Sequence, residues 1–319
     1  MSIRIVLLVT SPRLPAGLLT AEAWDTVRAY PVYTGAESAQ AAALRVAGVP
    51  VTVLDTDAQG FLDAIAGQKA AVWLAGPHGD MSFARQLGLR LVREPGLAEL
   101  EQMYGSWDPP GARLLDAVEV MDRLASPGGD PWKREQSHQT LAPYLLEESY
   151  EAYDAIVAGD LDALREELGD VLLQVVLHAR LAENRAESDR WSIDDVAGDL
   201  VDKMIRRNPH VFAGEQVTDI EEITANWERI KREEKARDSV LDGIALSQPA
   251  LSLAAKILHR VERGGIDVPL PDGGDLGGLL LRAVAEARAA GLDAEAALRE
   301  AALTYADAVR AAEKAGGAG

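Results

Sequence analysis

Cysteine is absent from the chain, which excludes disulfides, thiolate metal sites and a thiol nucleophile. Cations are scarce: 32 lysines and arginines stand against 51 aspartates and glutamates, a formal charge of −19. So acidic a balance argues against non-specific binding to nucleic acid or to an anionic membrane. An anionic small molecule stays open, provided a metal and local basic residues neutralise it. No apolar run approaches the ~18 residues that span a bilayer. The short apolar stretch in MSIRIVLLVTSPR lacks a signal-peptide layout. The expectation is a soluble cytoplasmic protein, and 319 residues suffice for two modest domains. Five histidines form no zinc-type spacing, and His138 and His178 read as structural or loop histidines rather than ligands.

What is present divides into an α/β start and a helical remainder. Ile3–Val9, Val51–Leu54 and Ala70–Leu74 are short apolar runs rich in β-branched residues, the pattern of buried parallel strands. Ala36–Ala47 and Ala58–Ala66 read as crossover helices, so residues 1–105 are expected to form a small open α/β sheet. The turn-rich GSWDPPGA (105–112) marks a boundary. Beyond it the pattern predicts helices over Leu114–Leu124, Leu141–Ala158, Leu161–Ala182, Ile193–Arg207 and Ile220–Ala236. The linker PLPDGGDLGG (269–278) then leads to Ala- and Glu-rich helices and a flexible GGAG end.

Two acidic clusters carry the chemistry. Glu147, Glu148, Glu151 and Asp154 stand at i, i+1, i+4 and i+7, and Glu167 and Asp170 at i and i+3. Residues three or four apart share a helix face, so each cluster can aim its oxygens at one point, and two antiparallel helices would merge them. A lone EExxE is usually a solvated face. Here Leu141, Tyr144 and Leu145 lead into Glu148, while Leu164, Leu168, Val171, Leu172, Val175 and Val176 run beside Glu167 and Asp170. The acids border the core, where carboxylates persist only when paired or metal-bound. Oxygen-only donors point to Mg²⁺ rather than zinc.

The blocks PWKREQSHQTLAPYLLEESYEAYDAI, REELGDVLLQVVLHAR and DKMIRRNPHVF resemble the MazG branch of the all-α nucleoside triphosphate pyrophosphohydrolases. The resemblance covers 113–242 and implies a helical bundle completed by dimerisation. It implies cleavage of nucleoside triphosphates to monophosphate and pyrophosphate with Mg²⁺, for which Mn²⁺ substitutes, as nucleotide-pool house-cleaning. It also implies Glu148, Glu151, Glu167 and Asp170 as metal ligands, with Glu147 ligating or holding the attacking water. Lys203, Arg206 and Arg207 become candidates for the triphosphate, and Trp227 and Lys231 for the nucleotide. By their own pattern the three cations are equally a last helical turn favouring the dipole, and Trp227 a packing anchor. Asn208 stands where the family usually has histidine. Asp130 and Lys133 stand where it has cysteine and aspartate.

The N-terminal segment, in SPRLPAGLLTAEAWDTVRAYPVY and LAGPHGD, resembles the first half of a tetrapyrrole methylase domain, without its Gly-rich start or room for its second half. LDAEAALREAALTYADAV, within 243–319, resembles the tail of a second MazG repeat that has lost its acidic motif. The competing readings are a tetrapyrrole- or S-adenosylmethionine-binding regulatory protein and a non-catalytic helical scaffold.

Overall fold

The computed structural model describes residues 2–77, 79–214, 219–234, 238–271 and 274–316, without the side chains at 228, 232, 233 and 316. The expected helix end at Ala236, two positions of the 269–278 linker and the last three residues of GGAG lie outside these. The chain divides at Gly198 into two compact units.

The first unit opens with five strands, β1 (Ile3–Val9), β2 (Val32–Thr34), β3 (Val51–Val53), β4 (Ala70–Leu74) and β5 (Ala98–Tyr104). They form one parallel sheet of order β3-β2-β4-β1-β5. Between them run helices α1 (Ala21–Ala29), α2 (Ala39–Val46), α3 (Ala58–Ala64) and α4 (Met81–Arg93). Strand alternation sends side chains to opposite faces, and two cores result. Val6, Leu8, Val72 and Leu74 pack with Val27 and Leu44 of α1 and α2. Ile5, Leu7, Ala71 and Trp73 pack with Phe61 and Phe83 of α3 and α4. Trp73 stacks on Phe83 with ring centroids 3.7 Å apart, and its Nε1 donates to Asp80 at 2.8 Å, so the buried indole keeps its polar partner.

Three expected strands are present, and the sheet adds β2, β5 and the helices α1 and α4. After the predicted turn-rich boundary come α5 (Arg113–Ala125), the short α6 (Pro131–Arg134), α7 (His138–Ala158), α8 (Leu161–Ala182) and α9 (Ile193–Arg207). Met121, Ala125, Leu141, Val176 and Leu177 form their core. Arg13, in the loop after β1, ties the sheet to this bundle. Its Nε and Nη2 donate to the two Asp116 oxygens at 2.7 and 2.6 Å, and its Nη1 pairs with Asp108. One expected core member differs. Leu168 is 52% exposed, because it lies in the N-terminal half of α8, whereas the buried residues of that helix, Gln174, Val176, Leu177, Ala179 and Ala182, all lie in its C-terminal half.

The second unit contains the rest of α9, then α10 (Pro209–Phe212), α11 (Ile220–Glu233), α12 (Ala250–Arg263), α13 (Leu276–Ala289) and α14 (Ala294–Gly316). Among the described residues, no helix is long and apolar enough to cross a membrane.

Candidate metal centre

The centre stands on a helical hairpin whose ends are written into the sequence. Ser137 and Thr140 form a reciprocal capping box that starts α7. Gly159, at φ 71°, ends it in the left-handed conformation that a side chain resists. Asp160 follows at once and caps α8, accepting from the N–H groups of Asp162 and Ala163. So short a turn makes α7 and α8 antiparallel neighbours and brings the two acidic clusters to the same level.

Glu148 and Glu151 of α7 and Glu167 of α8 each offer a carboxylate oxygen, all within 4.8 Å of one another. Opposite ligands of a hard divalent ion lie about 4–5 Å apart, twice a metal–oxygen distance of ~2.0–2.6 Å, so the three fit around a single cation. Glu148 and Glu167 are half-buried and Glu151 is exposed. Desolvation raises the Glu148 carboxyl above its ordinary value, and the charges of Asp170, Glu151, Glu147 and Glu167 add to this. Glu167 is raised the same way, by desolvation first and then by Glu151 and Asp170. The cluster therefore holds uncompensated negative charge, which a cation offsets. A donor set of hard oxygens with that deficit fits a divalent metal.

Among the described residues the group within 4.8 Å comprises those three glutamates. Asp170, half-buried on α8, acts on both Glu148 and Glu167 through its charge and so lies beside them. Glu147 is exposed next to Glu148 and acts on it likewise. Asp154 is exposed.

Toward the open end of the hairpin, farther from the turn than the glutamates, lies a polar set that composition did not reveal. The Nδ1 atoms of His138 and His178 are 2.7 Å apart, and the Trp191 ring stacks with that of His138, centroids 6.1 Å apart. Gln174 is only 4% exposed, with its Oε1 unpartnered. It stands four residues from both Asp170 and His178, on their face of α8. The available signal was a single polar residue inside the apolar run VLLQVVL.

In the second unit, Lys203 and Arg207 are half-buried at the end of α9 and Arg206 is exposed. Arg206 Nε donates to Glu234 at 2.7 Å, and Arg207 donates to the same carboxylate from Nε at 3.0 Å and Nη2 at 2.5 Å. The two guanidinium groups, Arg207 first, hold the Glu234 carboxyl down to about 2. The Arg207 guanidinium also lies over the Trp227 ring, 5.4 Å from its centroid. Lys231 is half-buried on α11 with Trp227. The unusual positions are internally satisfied. Asp130 caps α6 and pairs with Lys133 at 3.2 Å, and Asn208 Nδ2 donates to the Met204 carbonyl at 2.7 Å.

The stretch that carries these acids is similar to known proteins. The family described as the MazG nucleotide pyrophosphohydrolase domain matches residues 136–212. An uncharacterized 26.1 kDa protein in the blaB 3' region of Streptomyces cacaoi is 51% identical over 219 residues, covering 68% of this chain and 89% of that protein. The nucleoside triphosphate pyrophosphohydrolase of Mycobacterium tuberculosis is 46% identical over 206 residues, 64% of this chain and 59% of that one. The Escherichia coli K12 protein of the same description is 47% identical over 152 residues, 46% of this chain and 57% of that one. The matched regions thus span somewhat under two thirds of these two pyrophosphohydrolases.

Proposed function

The chain belongs to the MazG nucleotide pyrophosphohydrolase family, and from that premise we propose that it hydrolyses nucleoside triphosphates to nucleoside monophosphate and pyrophosphate. The observation that carries the reading is the convergence of Glu148, Glu151 and Glu167 within 4.8 Å. These glutamates, with Asp170 beside them, are the ligands we assign to Mg²⁺, with Mn²⁺ as substitute. When bound, the ion supplies positive charge to phosphate oxygens and lowers the pKa of a water.

The chain's own residues do the rest. Attack at the α-phosphorus needs a water held in line and relieved of its proton. Glu147, exposed beside Glu148, is the carboxylate we assign to accept it. Lys203, Arg206 and Arg207 neutralise the triphosphate, with arginine suited to bidentate phosphate contacts. Trp227 and Lys231 hold the nucleoside end. Residues 113–242 form the catalytic domain in this reading.

The working form we propose is a homodimer. Leu146, Tyr150 and Val157 share a face of α7 at i, i+4 and i+11, and all three are exposed. An apolar stripe of this kind beside a site is a natural subunit interface.

Product analysis tests the activity. Equal release of pyrophosphate and monophosphate from a nucleoside triphosphate is expected with Mg²⁺ present. Release of orthophosphate and diphosphate instead would refute cleavage between the α and β phosphates.

A further inference from the structure

Within the second unit, α12, α13 and the turn into α14 border a cleft of about 520 Å³. Its lining reverses the sign of the chain. Lys256 and His259 from α12 and Arg288 from α13 face it, with Gln248 and Ser252 adding polar groups. Among the described residues, the only carboxylate in the lining is Asp293. It is already engaged, because its Oδ1 accepts from the backbone N–H groups of Glu295 and Ala296 and so caps α14.

From this lining we propose that the cleft is a binding site for an oligophosphate anion such as pyrophosphate, separate from the acidic centre. Arg288 is held in place by Glu262, from Nη2 at 2.8 Å, in a pair whose carboxylate is 73% exposed. An incoming phosphate competes with water for that guanidinium more than with a buried partner. Lys256 is exposed and makes no ion pair among the described residues. The His259 imidazole is held below its ordinary value by burial first and then by Arg288, Arg263 and Lys256. Those three cations, opposed by Glu262, add positive potential beside the imidazole, which a polyanion would relieve. Three cationic or ionisable groups spread over two helices suit a chain of phosphates better than a single carboxylate, and the volume falls in the range of small-molecule sites. The buried Val284 and the more exposed Leu292 on the lining leave room for an apolar moiety, so a nucleotide carrying the phosphates shares the chemistry. The site does not depend on the proposed hydrolysis.

The test is calorimetric titration of the full chain with pyrophosphate in EDTA, where the acidic centre cannot hold phosphate through a metal. Saturable binding is expected. Lys256→Gln with Arg288→Gln should weaken it at least ~10-fold, the scale of losing charged hydrogen bonds. Lys256→Gln alone, at an exposed position, should weaken it measurably with the fold intact by circular dichroism. Arg207→Gln, in the other cationic cluster, should leave it unchanged. A parallel titration with ADP separates the sources: tighter binding than pyrophosphate assigns a nucleotide, and equal or weaker binding assigns the free oligophosphate. Absence of saturable pyrophosphate binding overturns the proposal, as does binding lost in Arg207→Gln and retained in the Lys256/Arg288 variants.

Discussion

His138 Nδ1 and His178 Nδ1 face each other at 2.7 Å, with the two rings 5° from parallel. One proton must lie between these nitrogens, so one imidazole donates and the other accepts, and neither facing nitrogen can be doubly supplied. Burial, then the His138 charge, holds His178 below its ordinary value. A group with a depressed folded pKa stabilises the fold above its unfolded value, here 6.5, and that contribution is lost as pH falls through the folded value. The melting temperature of the wild type should therefore drop more steeply below about pH 6.5 than that of His178→Gln. Parallel pH profiles for the two proteins would refute the shared-proton arrangement.

Arg13 and Asp116 predict a second pH dependence with a different window. The Arg13 fork first, then Arg113, holds the Asp116 carboxyl down to about 2 against an ordinary 3.8. The stability from this link is complete above the unfolded value and disappears as pH falls from about 4 toward 2. Asp116→Asn should melt below the wild type at pH 7, and the gap should close across that window. A gap independent of pH would show that the pairing contributes through packing alone.

These two links also show what a single sequence can and cannot disclose. The strands β1 and β4 were legible because both of their faces are buried, which leaves continuous apolar runs. β5, AELEQMY, is an edge strand with polar residues on it, and β2 has three residues, so neither carries a periodic signal of useful length. The bounds of α8 and α9 follow from a cap and from a Pro just past the end. The acidic clusters were visible as helical spacing. That Glu148, Glu151 and Glu167 lie closest together depends on how α7 and α8 are rotated against each other, which spacing does not specify. Glu234 was invisible, because its partners Arg206 and Arg207 lie 28 and 27 residues away and no local pattern joins them.

The crowding of Glu148 with Glu167 predicts opposite effects on stability and on turnover. Without metal, Glu148→Gln or Glu167→Gln removes a charge from a desolvated, mutually repelling set. The metal-free melting temperature should rise or hold in both variants. Mg²⁺-dependent turnover should fall at least ~100-fold, since a lost ligand costs more than the 10–100-fold typical of outer partners. Glu151→Gln, at the exposed corner of the set, should lose turnover equally with its fold retained. Unchanged turnover in any of the three would remove that residue from the site.

Arg207 is the residue on which packing and the proposed phosphate contact meet. Its guanidinium donates twice to Glu234 and lies over Trp227, so geometry rather than charge alone is being used. Lysine keeps the charge but loses the fork and the stacking plane. Arg207→Lys should therefore lower kcat/KM about 10- to 100-fold, the scale of one or two charged hydrogen bonds. Glu234→Gln leaves the arginine chemically intact and removes only what orients it, so its loss should be smaller and should appear mainly in KM. Trp227 provides a readout independent of activity. If Glu234 positions Arg207 over the indole, Trp227-specific fluorescence should change in both variants, measured against Trp227→Phe. A Glu234→Gln protein with wild-type KM and fluorescence would reduce the Arg207–Glu234 contact to a surface ion pair with no part in substrate binding.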